Sequence, residues 1–177
     1  WHRPTSDRLP VVSDLPEGMV PSEERSGFFF VSRWIPNKGL RLLLDAYKVA
    51  DIDKRTWPLR LAGDGPLREE VLRKIDEDGI DGVETLGFVS EEKRKELTRR
   101  AKWMVTPPNT NEDLGLTPLE ARNVGVPCIV TNDGGLRETG GRDALRCEPG
   151  DRVGLTQLLE TAAGMPESEY VKRSHRT

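Results

Sequence analysis

The chain has 177 residues, a length typical of one domain with a sizeable core. Its 27 basic and 30 acidic side chains give a net charge of −3 at pH 7, without the basic excess that is typical of a nucleic-acid-binding protein. No apolar run approaches the ~20 residues of a membrane-spanning helix, and the start of the chain does not resemble a targeting segment. We therefore expect a cytoplasmic protein that binds no nucleic acid, and peripheral attachment to a membrane stays open.

The cysteines and histidines give no sign of a metal site. Cys128 and Cys147 match neither the spacing of a metal site nor a disulfide framework, and Cys128, in the apolar stretch VPCIV, is predicted to be a small core residue. His2 and His175 lie near the two ends of the chain and form no ligand set. The sequence thus predicts no metal and no cofactor.

Strand and helix signals alternate after a proline-rich leading segment, residues 1–26, which we expect to lie on the surface of a domain spanning residues 27–177. The continuous apolar run FFFVS (28–32) predicts a buried strand. Further strands are predicted at 59–63, 83–88, 103–107, 127–131 and 144–148. Helices are predicted at 38–50, 66–78 with Pro66 first, after Ser90 as the cap, at 118–124 and at 151–163, and the tail after Gly164 is ambiguous.

This alternation favours right-handed βαβ units. We predict a Rossmann-like α/β domain, with a parallel sheet of about six strands flanked by helices. Ligands of such sheets bind beyond the carboxyl ends of the strands. Arg33 and Lys38 follow the first predicted strand, and the glycine-rich turn that begins at Gly63 follows the second. That edge of the sheet is therefore the candidate site.

The stretch NEDLGLTPLEARNVGVPCIV (111–130) places Glu112 and Glu120 eight positions apart. One interpretation is a capping box, in which Thr117 caps a helix that begins at Pro118 and Glu120 reaches back to the cap. It leaves Glu112 unexplained, and also Gly115, because a glycine is not needed merely to enter a helix.

The alternative interpretation is a ligand site at the start of this helix. Gly115 would let a ligand approach the backbone, and the helix start would attract an anion. Glu112 and Glu120 would accept hydrogen bonds from hydroxyls on either side of a phosphate, as in a nucleotide-sugar. Arg33 and Lys38 would then oppose a diphosphate, unless they are only solvated surface cations.

The basic run KRKELTRRAKW (93–103) is interleaved with glutamate and predicts a helix. A solvated helix face is the simpler interpretation, and a membrane-surface or partner-docking patch is the alternative.

Several segments agree in order with the motifs of one enzyme family. They are SRWIPNKGLRLLLDAY, LRLAGDGPLREEV, VETLGFVSEEK and EDLGLTPLEARNVGVPCIVTNDGGLRE. The last contains the pattern E-x(7)-E and continues to G-x-P and G-G. From about residue 27 to about residue 163, the chain resembles the retaining GT-B enzymes called glycosyl transferases group 1 (family four). Leu114 stands where phenylalanine is more usual, Ser32 where glycine is common, and Arg122-Asn123 where small residues are usual.

The resemblance implies roles for individual residues. Glu112 would hold hydroxyls of the donor sugar, and Glu120 would bind the ribose. Arg33 and Lys38 would stabilise the diphosphate as the nucleotide leaves. The backbone of Leu114, Gly115 and Leu116, with Thr117, would meet the sugar and diphosphate. Phe88 and Val89 would line the base pocket, and Gly63 would leave room for the nucleotide.

The resemblance also implies a metal-independent hexosyltransferase that passes a sugar from a nucleoside-diphosphate (NDP) sugar to an acceptor glycan or lipid-linked glycan, as in polysaccharide biosynthesis. Such enzymes have a second, N-terminal Rossmann-like domain for the acceptor, and this chain has room for the donor-binding half only. We expect it to bind the donor with little or no transfer on its own. A non-catalytic nucleotide-binding regulatory module and a GT-B-like nucleotide-sugar epimerase stay open, whereas a dehydrogenase is disfavoured because the dinucleotide fingerprint is lacking.

Overall fold

The computed structural model of the chain describes residues 18–109 and 115–177. Six strands form one all-parallel sheet in the order β3-β2-β1-β4-β5-β6, which confirms the predicted Rossmann-like sheet. The strands are β1 (Ser26–Val31), β2 (Leu59–Ala62), β3 (Val83–Gly87), β4 (Ala101–Thr106), β5 (Cys128–Thr131) and β6 (Leu145–Cys147).

Seven helices are present among the described residues. They are α1 (Leu40–Val49), α2 (Arg68–Glu77), α3 (Glu91–Arg100), α4 (Leu116–Arg122), α5 (Leu136–Thr139), α6 (Arg152–Ala163) and α7 (Glu167–Ser174). The single turn α5 was not predicted, and α7 occupies the tail that the sequence left ambiguous. None of these helices is long and apolar enough to cross a bilayer.

Two predicted helix starts have different outcomes. The Ser90 cap of α3 is confirmed, because its hydroxyl accepts a hydrogen bond from the backbone N–H of Lys93 at 3.2 Å. The prediction that Pro66 opens α2 is wrong, because that helix begins at Arg68. The backbone N–H of Leu67 donates to the carbonyl of Trp34 at 3.0 Å, so the segment before α2 is a turn held by the first strand's loop.

The strands β1, β4 and β5 are buried on both faces of the sheet, and their side chains alternate between two cores, whereas the outermost strand β3 is largely exposed. Phe28 and Phe30 of β1 point into the larger core, which is covered by α1, α2, α6 and α7. Phe29 points into the smaller core, which is covered by α4, α5 and the partly buried Leu97 of α3. Helix α3 adds little apolar surface, since eight of its ten residues are charged.

Both cysteine thiols belong to these cores. Cys128 is fully buried and Cys147 is nearly so. Burial raises the pKa of the Cys128 thiol to about 12 and that of Cys147 to about 11. The full burial of Cys128 confirms that it is a core residue, and neither thiol is ionised near neutral pH.

The strand order creates a switch point between β1 and β4. After β1 the chain crosses to β2 on one side, and after β4 it crosses to β5 on the other. The loops that follow these two neighbouring strands therefore leave in opposite directions and open a crevice between them.

At the amino ends of the strands, opposite the crevice, the side chain of Arg25 is buried and only 5% exposed. Its guanidinium donates hydrogen bonds to groups from three parts of the chain, namely the carbonyls of Val20, Val124 and Gly125 and the hydroxyls of Tyr170 and Ser174. One side chain thus joins the segment before β1, the end of α4 and the last helix.

A second buried cation lies beside it. The ammonium of Lys102 donates to the Glu167 carboxylate at 2.8 Å and to the carbonyl of Ser22 at 3.0 Å, and it lies 4.2 Å from the centre of the Tyr170 ring. Partial burial alone would raise the pKa of Glu167, but hydrogen bonds from Lys102 and Ser22 outweigh it and hold that pKa below its ordinary value.

This lowered pKa predicts an acid-dependent loss of stability. The Glu167 contribution is present at neutral pH and is lost as the pH falls through the folded-state pKa of this carboxyl. We expect Glu167→Gln to lower the free energy of unfolding near pH 7 by less than about 1 kcal/mol, because the carboxylate is half exposed. The difference from the unmodified chain should fade below about pH 4.

Thermal or urea unfolding at several pH values measures this difference. Glu77→Gln, at the exposed end of α2, is the control. If Glu167→Gln lowered the free energy of unfolding by the same amount at pH 3 and at pH 7, the assignment of the ion pair would be contradicted.

Candidate functional site

The loop after β1 is locked to the loop after β2. The fully buried Trp34 donates its indole N–H to the carbonyl of Ala62 at 3.2 Å and its backbone N–H to that of Asp64 at 2.8 Å. Gly63 has φ +119°, and a Cβ there would lie 1.8 Å from the carbonyl oxygen of Ser32. Glycine at 63 is therefore required by the packing of the two loops, and the predicted room for a nucleotide stays a prediction.

The same loop contacts the loop after β4, across the switch point. Gly39 has φ +74°, and a Cβ there would lie 1.8 Å from the carbonyl oxygen of Pro107. The backbone N–H of Asn109 donates to the carbonyl of Asn37 at 3.2 Å. The half-buried Lys38 closes the short 3-10 turn Pro36–Lys38 beside this contact, and Arg33 is exposed.

The end of β3 adds an exposed aromatic ring. The Phe88 side chain is 84% exposed, whereas the neighbouring Val89 packs against the smaller core. The backbone N–H of Gly63 donates to the carbonyl of Gly87 at 2.8 Å, which ties the end of β3 to the loop after β2. The two predicted base-pocket residues therefore lie at the predicted edge, with Phe88 open to solvent.

Gly115 has a structural reason that the sequence interpretation overlooked. It is the residue before α4, with φ +64°, and a Cβ there would lie 2.4 Å from Cδ2 of Leu136. The premise that a glycine is not needed to enter this helix is wrong, because left-handed backbone strongly favours glycine. Close approach of a ligand to Gly115 stays a prediction. The following Leu116 is 55% exposed, and Thr117 is half-buried.

The capping box is wrong. Helix α4 begins at Leu116 and has no side-chain cap, so Thr117 lies inside its first turn and lacks the non-helical backbone of a capping residue. Pro118 is the third helical residue and is buried. The Glu120 carboxylate, instead of reaching back to the helix start, accepts a hydrogen bond from Nη1 of Arg94 in α3.

This ion pair brings into the site a residue that the sequence did not indicate. The side chain of Arg94 is 24% exposed and that of Glu120 is 44% exposed. Both line a groove of about 270 Å³ between α3 and α4, together with Lys95, Thr98, Arg99 and Asn123. The partners are 26 positions apart on two different helices, and Arg94 lies within a run of basic residues, so nothing in the sequence distinguished it.

The basic run of α3 is largely neutralised. Lys95 pairs with Glu91 at 2.7 Å, Lys93 with Glu96 at 2.9 Å, and Arg100 with Glu96 at 3.8 Å. These exposed pairs favour the solvated helix face over a docking patch.

Two predicted site residues, Glu112 and Leu114, lie outside the described residues. Their predicted contacts with a donor sugar therefore stay predictions. Within residues 18–109 and 115–177, no group of three or more His, Cys, Asp or Glu side chains could hold a metal ion.

Residues 16–162 match the family described as glycosyl transferases group 1. Over 125 residues the chain is 33% identical to the O-antigen chain mannosyltransferase B of Escherichia coli, with 69% of this chain and 32% of that protein covered. Over 165 residues it is 31% identical to the mannosylfructose-phosphate synthase of Agrobacterium fabrum, with 83% and 36% covered. The chain spans about a third of the length of these curated relatives.

Solved structures share the fold at low sequence identity. The C-terminal domain of a glycosyl transferase group 1 family protein (LpcC) from Francisella tularensis has a TM-score of 0.73 and 20% identity, and 87% of this chain and 84% of that one are covered. Anabaena Alr3699/HepE in complex with UDP and glucose has a TM-score of 0.74 and 20% identity, with 86% and 42% covered.

The contact between Gly39 and Pro107 predicts a sharp cost for a methyl group at position 39. Gly39→Ala should lower the free energy of unfolding by about 3 kcal/mol or more, because it adds a steric clash to the strain of left-handed backbone. Gly79→Ala is the matched control, since Gly79 has φ +57° and a Cβ there would have no other group within 4 Å; it should cost about 1–2 kcal/mol. Denaturant unfolding compares the two, and equal losses would show that the loops are not in contact.

Proposed function

The chain belongs to the glycosyl transferases group 1 family, and we propose that it is the donor-binding, C-terminal domain of a retaining GT-B glycosyltransferase. The observation that supports this proposal is the position of Arg33, Lys38, Gly63 and Phe88, which all follow the carboxyl ends of strands in one parallel sheet. The loop bearing Arg33 and Lys38 contacts the loop after β4 at Gly39 and Pro107, beside the crevice in which ligands of open α/β sheets bind.

The cations of this edge suit a diphosphate. Arg33 is exposed and Lys38 is half-buried at the crevice. In the proposed complex they oppose the phosphate charge, including the charge that grows as the bond between the sugar and the diphosphate breaks. The backbone near Gly115, Leu116 and Thr117 meets the sugar and the diphosphate from the other side.

The remaining roles concern the two ends of the donor. Glu112 holds hydroxyls of the sugar, and Glu120 accepts hydrogen bonds from the ribose. Phe88 supports one face of the base, because a ring that is 84% exposed at the carboxyl end of β3 is available for stacking. Val89 lines the same pocket, and Gly63 leaves space beside it.

The proposed reaction transfers the sugar from an NDP-sugar to an acceptor glycan or lipid-linked glycan, with retained anomeric configuration and without a metal. The acceptor is bound by a second Rossmann-like domain, so we propose that the 177-residue chain binds the donor without appreciable transfer. The complex of Anabaena Alr3699/HepE with UDP and glucose and the sugar transferases among the relatives support this donor class.

Donor binding is tested by adding UDP, GDP, ADP or one of their hexose conjugates to the chain at increasing concentrations. The midpoint of thermal unfolding is measured at each concentration. Saturation at about 100 times the dissociation constant should stabilise the chain by about 2.7 kcal/mol, a shift of several degrees for this length. One nucleotide should shift the transition and its sugar conjugate should shift it further. Glu112→Gln should abolish the increment from the sugar, whereas Glu120→Gln should weaken binding of the nucleotide itself.

Glu77→Gln, remote from the crevice, is the control and should leave every shift unchanged. Nucleotide binding that is indifferent to the sugar and to Glu112 would favour a regulatory module instead. Conversion of the donor sugar without any acceptor would favour an epimerase. No shift with any nucleotide or conjugate would overturn the proposal.

A further inference from the structure

We propose that Arg94 is a positioning residue that holds the Glu120 carboxylate for the ribose of the nucleotide. This inference rests on the proposed function and adds to it a residue outside the motifs by which the family was identified. It starts from the contact between Nη1 of Arg94 and Oε2 of Glu120.

Both partners lie near the candidate edge of the sheet. Helix α3 begins at Glu91, shortly after the carboxyl end of β3 at Gly87, and α4 is the first helix after β4. Arg94 is the fourth residue of α3, and Glu120 is the fifth residue of α4. At a rise of about 1.5 Å per residue, each lies within roughly 6–8 Å of its helix start. The pair therefore joins the two helices just beneath the crevice.

The contact leaves the carboxylate with free capacity. An ionised carboxylate has two oxygens and about four acceptor positions, and Arg94 contacts Oε2. Oε1 can therefore accept hydrogen bonds from the 2′- and 3′-hydroxyls of a ribose while Oε2 stays anchored. An anchored carboxylate loses less conformational freedom when the ligand binds than an unrestrained glutamate does.

The pair also reduces a charge conflict. A nucleoside diphosphate is an anion, and an uncompensated carboxylate close to it would repel it. The guanidinium of Arg94 offsets the charge of Glu120, and its own side chain is only 24% exposed, so solvent screens the pair less than it screens an open surface pair. Glu120 can thus contact the sugar of the nucleotide without opposing its phosphates.

Arg99 provides a matched comparison on the same helix. It lines the same groove as Arg94 and Glu120, is half-buried and carries the same charge. The contact with Glu120 is made by Arg94. If only the positive charge of the groove mattered, Arg94→Gln and Arg99→Gln would have the same effect.

The test measures the dissociation constants of whichever of UDP, GDP and ADP binds, and of its 2′,3′-dideoxy analogue. In the unmodified chain, loss of the ribose hydroxyls should weaken binding by about tenfold or more. In Arg94→Gln the ribonucleotide should bind about fivefold or more weakly. The dissociation constant of the dideoxy analogue should then exceed that of the ribonucleotide by about threefold or less. Arg94→Lys should restore part of this ratio of dissociation constants, and Arg99→Gln should leave it at its value in the unmodified chain.

The ratio separates a positioning role from a structural one, because a general loss of folded protein weakens both ligands equally. A double-mutant cycle with Glu120→Gln should give strong coupling, so that Arg94→Gln has little further effect once Glu120 is replaced. Tighter ribonucleotide binding by Arg94→Gln would overturn the inference, since Arg94 would then block Glu120. An unchanged ratio in Arg94→Gln would also overturn it and leave donor binding intact, whereas absence of binding by all three nucleotides would remove the proposed function itself.

Discussion

The carbonyl of Pro107 occupies the position where a Cβ of residue 39 would stand, and the candidate site depends on that contact. In a parallel sheet the loops at the switch point leave in opposite directions, so nothing in the strand pairing holds them together. Here the missing side chain of Gly39 lets the turn after β1 lie against the loop after β4, and the N–H of Asn109 donates across the same junction. At this junction the separation of the two loops is thereby set by backbone contacts rather than by flexible side chains.

A second feature of the site is that the helices on the two faces of the sheet are held by different kinds of contact. The larger core carries most of the buried aromatic side chains and the helices that bury them, whereas α3 covers its part of the smaller core with little more than Leu97. Hydrophobic burial therefore contributes less to holding α3 than to holding α1 or α6. Polar contacts, such as the hydrogen bond from Arg94 to Glu120, also connect α3 to its neighbour α4. They place ionisable groups close to the crevice. In the proposed complex, stability and ligand recognition consequently share the same side chains on this face.

The sequence was sufficient to predict a helix, a strand or a helix cap where neighbouring residues alone determine it. The apolar run at Phe28–Phe30 and the leucine spacing of α1 predicted their elements, and Ser90 predicted its helix cap. It failed where the deciding contact is distant in sequence. Thr117 and Glu120 form a good capping pattern, but the left-handed Gly115 against Leu136 starts α4 earlier, and Arg94 draws Glu120 away.

The glycines illustrate the same limit. Gly63 and Gly115 were singled out as places where a ligand approaches, and each is already required by a protein neighbour. A sequence records that a side chain must be absent but not what occupies the space. That the candidate residues follow the carboxyl ends of strands in one sheet could be predicted from the alternation of strands and helices, whereas the contacts among them could not.

The buried guanidinium of Arg25 has a mechanical consequence. It joins the segment before β1 to the residues after α4 and to α7 through four hydrogen bonds, so the first and last described parts of the chain are held by one side chain. A displacement of the segment before β1 relative to the sheet has to break contacts to the last helix at the same time. The two parts are therefore fixed to each other at the amino ends of the strands, at the far end of the sheet from the crevice.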